Sequence, residues 1–161
     1  LIAACTKSRH AKEIQVILAG RGPLEKKYRR LAEKLPNPIV MSFYEPARLL
    51  EILHMADLYV HTSDAEIEAM SCMEAFACGL VPVIADSPRS ATPQFALDER
   101  SLFPAGDTDV LAERIDWWLE HPEERREMEL RYAEHAKQYT LEHSIQQTEE
   151  MFRMAIREQR G

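Results

Sequence analysis

Residues 56–86 contain the pattern of one strand–helix–strand unit, and this pattern constrains the fold more than any other stretch. A short apolar run at residues 58–60 is typical of a buried parallel strand. Residues 71–78 are predicted to form a helix that ends at Gly79. The apolar, largely β-branched residues 81–85 predict a second strand. In such units ligands bind at the carboxyl ends of the strands, which directs attention to the loop before the helix.

Two glutamates, Glu66 and Glu74, flank this strand–loop–helix junction with seven residues between them. Glu66 is predicted in the loop and Glu74 about one turn into the helix. If the helix begins near Met70, both carboxylates can face one crevice. Free backbone N–H groups near Met70 and Ser71 would suit a phosphate. The pattern predicts a site for a phosphorylated, hydroxyl-rich ligand. The alternative is that both acids are solvated surface groups.

The same alternation of strands and helices continues over the rest of the chain. Further strands are predicted at residues 14–19, 39–43 and 102–103, and helices at residues 1–7, 24–35, 47–55, 109–120, from 122 towards 137, and 141–159. Either Asp107 or Thr108 is expected to cap the helix at 109–120. Strands that alternate with helices predict an α/β fold with a doubly wound, mostly parallel sheet covered on both faces.

Composition narrows the class of protein. The chain has 161 residues, of which 45% are hydrophobic and 29% charged, so a single globular domain is expected. A net charge of −7 argues against nucleic acid as a partner. Neither a membrane-spanning stretch nor a signal peptide is evident. The three cysteines lack the spacing of metal ligands and are typical of a reducing compartment.

Two further segments bear on ligand binding because each follows a predicted strand. Gly20 and Gly22 permit a sharp strand-to-helix turn, although Gly-x-Gly alone is weak evidence for a phosphate site. Phe43 and Tyr44 end the next strand, where an aromatic side chain can be either core or ligand contact. His61 is expected to be structural, with a role in lining the site as the alternative.

The central unit resembles the Glu-x7-Glu signature of the retaining GT-B glycosyltransferases of glycosyltransferase family 4. The matching residues are Ser63, Glu66, Glu74-Ala75, Ala77-Cys78-Gly79 and Val81-Pro82-Val83-Ile84. Ile67 and Ala69 depart from the pattern, since that family usually has glycine there. Residues 87–103 most resemble the lipid α-glucosyltransferases, which include the cholesterol and diacylglycerol glucosyltransferases.

The resemblance implies a domain organisation. Residues 1–161 would form one Rossmann-like domain, the C-terminal, nucleotide-sugar-binding half of a GT-B enzyme. The N-terminal acceptor domain and the first strand, preceding Leu1, would be absent. The isolated domain is therefore expected to be inactive. A cytoplasmic location, at the inner face of the membrane, and peripheral membrane association are expected for an enzyme acting on a lipid.

The resemblance also implies roles for individual residues. Glu66 would be the catalytic residue, in contact with the transferred sugar near its anomeric carbon. The donor, expected to be uridine diphosphate glucose, would be bound by Glu74 at the ribose hydroxyls and by the amides of Met70 and Ser71 at the distal phosphate. The remaining donor contacts would come from Gly20, Gly22, Phe43 and Tyr44. Neither a metal nor another cofactor is expected.

Two other classes remain open from the sequence. One is a non-catalytic, Rossmann-like nucleotide-binding module, such as a degenerate transferase domain. The other is a different nucleotide-dependent enzyme, such as a sugar-nucleotide epimerase. The last predicted helix has an apolar stripe with Leu141, Ile145, Phe152 and Ile156. We expect this stripe either to mediate self-association or to pack onto its own domain.

Overall fold

Strands and helices alternate along the chain as the sequence predicts. The computed structural model describes residues 1–158. Its strands are β1 (Ile17–Ala19), β2 (Val40–Ser42), β3 (Leu58–His61), β4 (Val81–Asp86) and β5 (Leu102–Pro104). Its α-helices are α1 (Ile2–Lys7), α2 (Glu25–Ala32), α3 (Pro46–Met55), α4 (Met70–Ala77), α5 (Thr108–Glu120), α6 (Pro122–Ala136) and α7 (Leu141–Glu158). Gln159, the last residue of the predicted final helix, lies outside the described residues.

The strands form two parallel sheets. β1 pairs with β2, and β4 lies between β3 and β5 in the second sheet. Val60 of β3 is opposite Val83 of β4. The sequence predicts one sheet, and the division into two is a difference from that expectation: within the described residues β1 and β3 are not hydrogen-bonded to each other. All pairs are parallel, which agrees with the predicted crossover helices.

β1 is shorter than predicted, and local hydrogen bonds explain the difference. The prediction is residues 14–19, whereas the strand begins at Ile17. The Asn37 side chain donates to the Ile14 carbonyl oxygen at 2.9 Å. The Gln15 side chain donates to the Pro38 carbonyl oxygen at 2.7 Å. Side-chain-to-backbone hydrogen bonds between residues 14–15 and the loop before β2 therefore take the place of a strand ladder here.

The core surrounds β4 and the helices that follow it. Val81, Val83 and Ile84 are completely buried, as is Phe76 on α4. Trp118 of α5 is also completely buried. Its indole N–H donates to the Arg100 carbonyl oxygen at 3.3 Å, so this polar group is satisfied inside the core. The central strand–helix–strand unit is thus the most deeply buried part of the molecule.

The end of α4 and the start of α5 have the residues that the sequence predicts there. Gly79 follows α4 with a φ of +84°, a conformation that glycine adopts without a steric penalty. Asp107, one of the two expected caps of α5, accepts hydrogen bonds from the backbone N–H groups of Asp109 and Val110, both at 3.0 Å.

The apolar stripe of α7 is exposed to solvent. Leu141, Ile145, Phe152 and Ile156 are each more than half exposed. The expectation that α7 packs this stripe onto its own domain is therefore wrong, and self-association through it stays a prediction. Among the described helices, none combines the length and the apolar character needed to cross a bilayer.

Candidate functional site

A cavity of about 1200 Å³ is lined by β1 and β3, which are edge strands of the two sheets. Four of the predicted donor-binding residues line it: Gly20, Gly22, Ser71 and Glu74. Two elements bring them there: the turn after β1 carries Gly20 and Gly22, and the first two turns of α4 carry Ser71 and Glu74. These four residues lie beyond the carboxyl ends of β1 and β3, where open α/β sheets bind ligands, while the cavity itself also extends along both strands to Ile14 and Asp57.

The glycine turn after β1 leaves open space above the strand. Gly20 has a φ of +154°, which side chains rarely adopt, and a Cβ added at Gly20 or Gly22 would meet no heavy atom within 4 Å. Between them, the Arg21 guanidinium lies 5.6 Å from the centroid of the Phe43 ring. A ligand can thus approach this backbone closely, with a cation and an aromatic ring beside it.

Phe43 and Tyr44 lie apart from the cavity. Phe43 is 54% exposed and Tyr44 is half-buried. Neither lines the cavity between β1 and β3. The contact of Phe43 with Arg21 connects the loop after β2 to the glycine turn, so Phe43 flanks the site at its outer side.

The start of α4 has a strained backbone. Ala69, which precedes the helix, is buried and has φ 51° and ψ 52°, the left-handed conformation that favours glycine. This position is one of those where the resembling family has glycine. The N–H groups of Met70 and Ser71, at the first two helical positions, have no partner within an α-helix. They are available to an anion, although the Met70 side chain lines a separate cavity of about 640 Å³.

Glu66 is held in place by its own backbone. Its N–H donates to the Arg89 carbonyl oxygen at 3.3 Å, and its carbonyl oxygen accepts from the Ala91 N–H at 3.0 Å. Glu66 thereby forms an isolated parallel bridge with Ser90. The loop after β3 is fastened to the loop after β4. The Glu66 side chain is one-third exposed and lies outside the lining of the large cavity.

Asp64 has a structural role that the sequence did not indicate. The Ser87 hydroxyl lies 2.7 Å from the Asp64 carbonyl oxygen and 2.8 Å from its carboxylate. The Arg89 guanidinium forms an ion pair with the same carboxylate. Asp64 therefore fastens the same two loops that Glu66 joins. In the part of the chain that the structure describes, no group of three or more His, Cys, Asp or Glu side chains could hold a metal ion.

A side-chain network links His61, Ser71 and Glu66 through Tyr59, a residue that the sequence analysis did not single out. Tyr59 and His61 are two residues apart in β3, so their side chains project from the same face of the sheet. The Tyr59 hydroxyl lies 3.1 Å from Nδ1 of His61 and 2.9 Å from the Ser71 hydroxyl. Nε2 of His61 is 3.9 Å from the Glu66 carboxylate. The two-residue period of the strand was the available signal for this pair.

Both predicted glutamates act on the same hydroxyl group. Burial raises the pKa of Tyr59 to about 12, and the negative charges of Glu66 and Glu74 contribute in the same direction. Burial is the main cause of this raised pKa, and the two carboxylates make smaller contributions. Burial lowers the pKa of His61, and the Glu66 charge opposes that shift.

The comparison with protein families gives one match. The model described as "Glycosyl transferases group 1" matches residues 1–139, which is most of the chain. No curated protein matches the chain significantly.

Solved structures match over most of the chain. One is the catalytic domain of cholesterol-alpha-glucosyltransferase from Helicobacter pylori, with 48% sequence identity and a TM-score of 0.83. That match covers 86% of this chain and 87% of the other. A second is the GtfA/B complex, with 23% identity and a TM-score of 0.73 over 88% of this chain and 30% of that one. At this identity the second match supports the fold alone, and both agree with a GT-B architecture.

Proposed function

The chain belongs to the group 1 glycosyltransferases, and we propose that it is the donor-binding half of a retaining GT-B enzyme. The proposed donor is uridine diphosphate glucose and the proposed acceptor is a membrane lipid. The observation that carries this proposal is the convergence of Gly20, Gly22, Ser71 and Glu74 on one cavity at the carboxyl ends of two parallel strands. These residues combine an open backbone turn, a helix N-terminus and a carboxylate, which suit a nucleotide diphosphate sugar.

The charges of the site fit the reaction. Transfer of glucose with retention passes through an oxocarbenium-like state, while negative charge grows on the leaving diphosphate. The amides at Met70 and Ser71 would stabilise that charge, together with the partial positive charge of the α4 N-terminus. Glu74 would accept hydrogen bonds from the ribose hydroxyls. Glu66, on the loop beyond, would contact the sugar near its anomeric carbon, and neither a metal nor another cofactor is part of the proposal.

The nucleobase is proposed to bind at the outer side of the glycine turn. Phe43 is exposed there and contacts Arg21 with its ring, which leaves an aromatic surface and a guanidinium for stacking against a base. Tyr44 follows directly in the same loop. The preference for uracil and glucose rests on the resemblance to the lipid α-glucosyltransferases.

The lipid acceptor rests on the relative from Helicobacter pylori, which is a cholesterol-alpha-glucosyltransferase. Peripheral membrane association at the cytoplasmic face is part of the same proposal. Helix α2 supports it, since its basic side chains, and Lys34 just beyond its end, are exposed: Lys26, Lys27, Arg29, Arg30 and Lys34. Such a face attracts anionic lipid headgroups.

We propose that the cavity between β1 and β3 also takes a strand from the natural polypeptide preceding Leu1. β1 and β3 each pair on one side only within the described residues, and both line the cavity. In a doubly wound sheet a first strand lies between the second and fourth, which is where β1 and β3 stand if one strand precedes them. Leu1, next to α1, also lines the cavity. An acceptor domain would cover the mouth of the site, and the domain alone would transfer nothing.

Hydrogen exchange tests the strand. In the polypeptide extended upstream of Leu1, the amides of β1 and β3 that face the cavity should exchange at least about tenfold more slowly than in the chain of 161 residues. Amides of β5, at the far edge of its sheet, serve as the control and should change little. If the amides of β1 and β3 exchanged at the same rate in both polypeptides, the proposal that a strand lies between them would be wrong.

Donor binding and turnover in the complete enzyme test the function. Glu74→Ala should weaken uridine diphosphate glucose binding by about 1–3 kcal/mol in calorimetry, as expected for loss of a charged hydrogen-bonding group. Glu66→Ala should lower kcat with little effect on donor affinity. Glu68→Ala, on the same exposed loop, is the matched control. A preference for guanosine or adenosine diphosphate sugars would refute the donor, and tight binding without any transfer would favour a non-catalytic nucleotide-binding module.

A further inference from the structure

We infer that His61 is a positioning residue that orients the Glu66 carboxylate and is itself held by a hydrogen-bond chain through Tyr59 to Ser71. The inference rests on the proposed roles of Glu66 and Ser71 at the two ends of the donor. It adds a physical connection between those ends, since Ser71 lies at the helix start and Glu66 at the loop that would face the sugar.

The first observation is an unsatisfied buried nitrogen. The His61 side chain is 7% exposed, and its Nε2 atom has no hydrogen-bond partner among the described residues. That atom faces Oε2 of Glu66 at 3.9 Å. A buried polar group without a partner is costly, which favours closing this gap. A movement of roughly 1 Å would bring the two atoms to hydrogen-bond distance.

The second observation is that the other ring nitrogen already has a partner. Nδ1 of His61 lies 3.1 Å from the Tyr59 hydroxyl, which also lies 2.9 Å from the Ser71 hydroxyl. These contacts hold the imidazole plane. They leave the ring with one remaining direction for a hydrogen bond, and that direction is towards Glu66.

Glu66 determines the direction of every hydrogen bond in this chain. An ionised carboxylate can only accept, so the nitrogen that faces it must carry the proton. In a neutral imidazole the other nitrogen, Nδ1, then accepts, and the Tyr59 hydroxyl donates to it. Tyr59 has a single proton and must therefore accept from the Ser71 hydroxyl. Burial lowers the pKa of His61 and favours this neutral form.

The Glu66 carboxylate needs such a partner because its other contact is local. Oε1 accepts a hydrogen bond from the N–H of the next residue, Ile67, at 3.0 Å. The His61 ring, which is 7% exposed, lies 3.9 Å from Oε2. Loss of the ring would leave the carboxylate able to rotate away from the sugar, and a misplacement of about 1 Å is enough to slow a reaction 100-fold.

Substitutions in the complete enzyme separate positioning from simple packing. His61→Leu replaces the imidazole with an apolar group of similar volume and so removes the donor. It should lower kcat about 10- to 100-fold while KM for uridine diphosphate glucose changes less than about twofold. His61→Gln places an amide N–H near the Nε2 position and should recover part of the lost turnover. His54→Leu, on the exposed face of α3, is the control. A rise in KM at unchanged kcat, or equal turnover for the Leu and Gln variants, would overturn the inference.

Spectroscopy tests the chain whatever the enzyme transfers. Long-range proton–nitrogen NMR spectra of histidine-labelled enzyme should show His61 neutral and protonated at Nε2. Glu66→Gln offers a donor as well as an acceptor and should shift the tautomer mixture towards Nδ1, whereas Glu68→Gln should not. An Nδ1-protonated wild type, or no response to Glu66→Gln, would overturn the inference. Absence of any glucose transfer, with the expected tautomer present, would count against the proposed function instead.

Discussion

The two sheets differ in how completely they are covered. In the sheet β3–β4–β5, five consecutive residues of β4 are buried, and α4, α5 and α6 all contribute buried side chains. In the sheet β1–β2, no strand residue is buried, α3 contributes no buried residue and α2 contributes only Ala32. Parallel sheets are normally covered on both faces. The β1–β2 sheet is therefore less completely covered, and its free edge at β1 lines the cavity.

This difference predicts where substitutions matter. The β3–β4–β5 sheet with α4–α6 should behave as the stability core. The β1–β2 sheet with α2 and α3 should gain order when a strand or a second domain contacts it. The candidate site lies at the boundary of the two, so the proposed ligand would contact one well-packed wall and one less completely packed wall.

The largest expected effect comes from a core truncation. Phe76 is completely buried and its ring packs against Phe95, Tyr132 and Tyr139. Phe76→Ala should lower the free energy of unfolding by about 3–5 kcal/mol, measured by chemical denaturation. Leu50→Ala on α3, where the side chain is 47% exposed, should cost less than about 1 kcal/mol. Similar losses of unfolding free energy for the two variants would refute the difference in packing between the two sheets.

A somewhat smaller effect is expected at the start of α4. Ala69→Val would put a β-branched side chain at a buried position with positive φ, and should cost about 2–4 kcal/mol through strain and overpacking. Ala69→Gly should fit the same backbone without strain. Ala77→Val, at an exposed position of the same helix, is the control and should cost less than about 1 kcal/mol. Equal melting temperatures for the two valine variants would show that the strain is absent.

The attachment of α1 gives the next effect. Asp116 on α5 is buried, and its carboxylate accepts hydrogen bonds from the Ser8 hydroxyl and from the Arg9 N–H, the latter at 3.0 Å. Asp116→Ala should destabilise the protein by about 1.5–3 kcal/mol, because both donors lose a charged acceptor. Asp109→Ala, which removes an exposed ion pair with Lys7, should cost less than about 1 kcal/mol. Thermal unfolding of the two variants under one buffer condition measures the difference.

Much of the fold could be predicted from local patterns, because periodicity and breakers act within a few residues. Gly79 ends α4 and Asp107 caps α5 as expected, and β3 and β4 begin at the predicted residues. The division into two sheets could not be predicted, since periodicity does not report which strand edges meet. The shortening of β1 depends on Asn37, more than twenty residues away from its acceptor.

The site was partly predictable for the same reason. Glu74, Ser71 and the two glycines follow from strand–helix junctions and line the cavity. His61 was named only as an alternative site residue, and its pairing with Tyr59 was not predicted, because the predicted strand ended at Val60 whereas the observed strand continues through His61. Alanine itself does not indicate positive φ, so the left-handed backbone at Ala69 was signalled only by the glycine that the resembling family has at this position.

The smallest expected effect is a pH dependence at the junction of α1 and α5. Nε2 of His10 lies 3.1 Å from Glu120 and Nδ1 lies 3.0 Å from Glu13, and these hydrogen bonds, that with Glu120 above all, raise the pKa of His10 above its ordinary value of 6.5. A raised pKa in the folded state means that the folded state binds the proton more tightly. The contribution to stability is therefore full below about pH 6 and is lost as pH rises through the raised value. The free energy of unfolding, measured from about pH 5.5 to 9, should be higher for wild type than for His10→Gln at acidic pH. This difference should disappear at the alkaline end. When both proteins also carry Glu120→Gln, this difference in the free energy of unfolding should depend less on pH. A difference that grows as pH rises would contradict the role given to the His10–Glu120 pair.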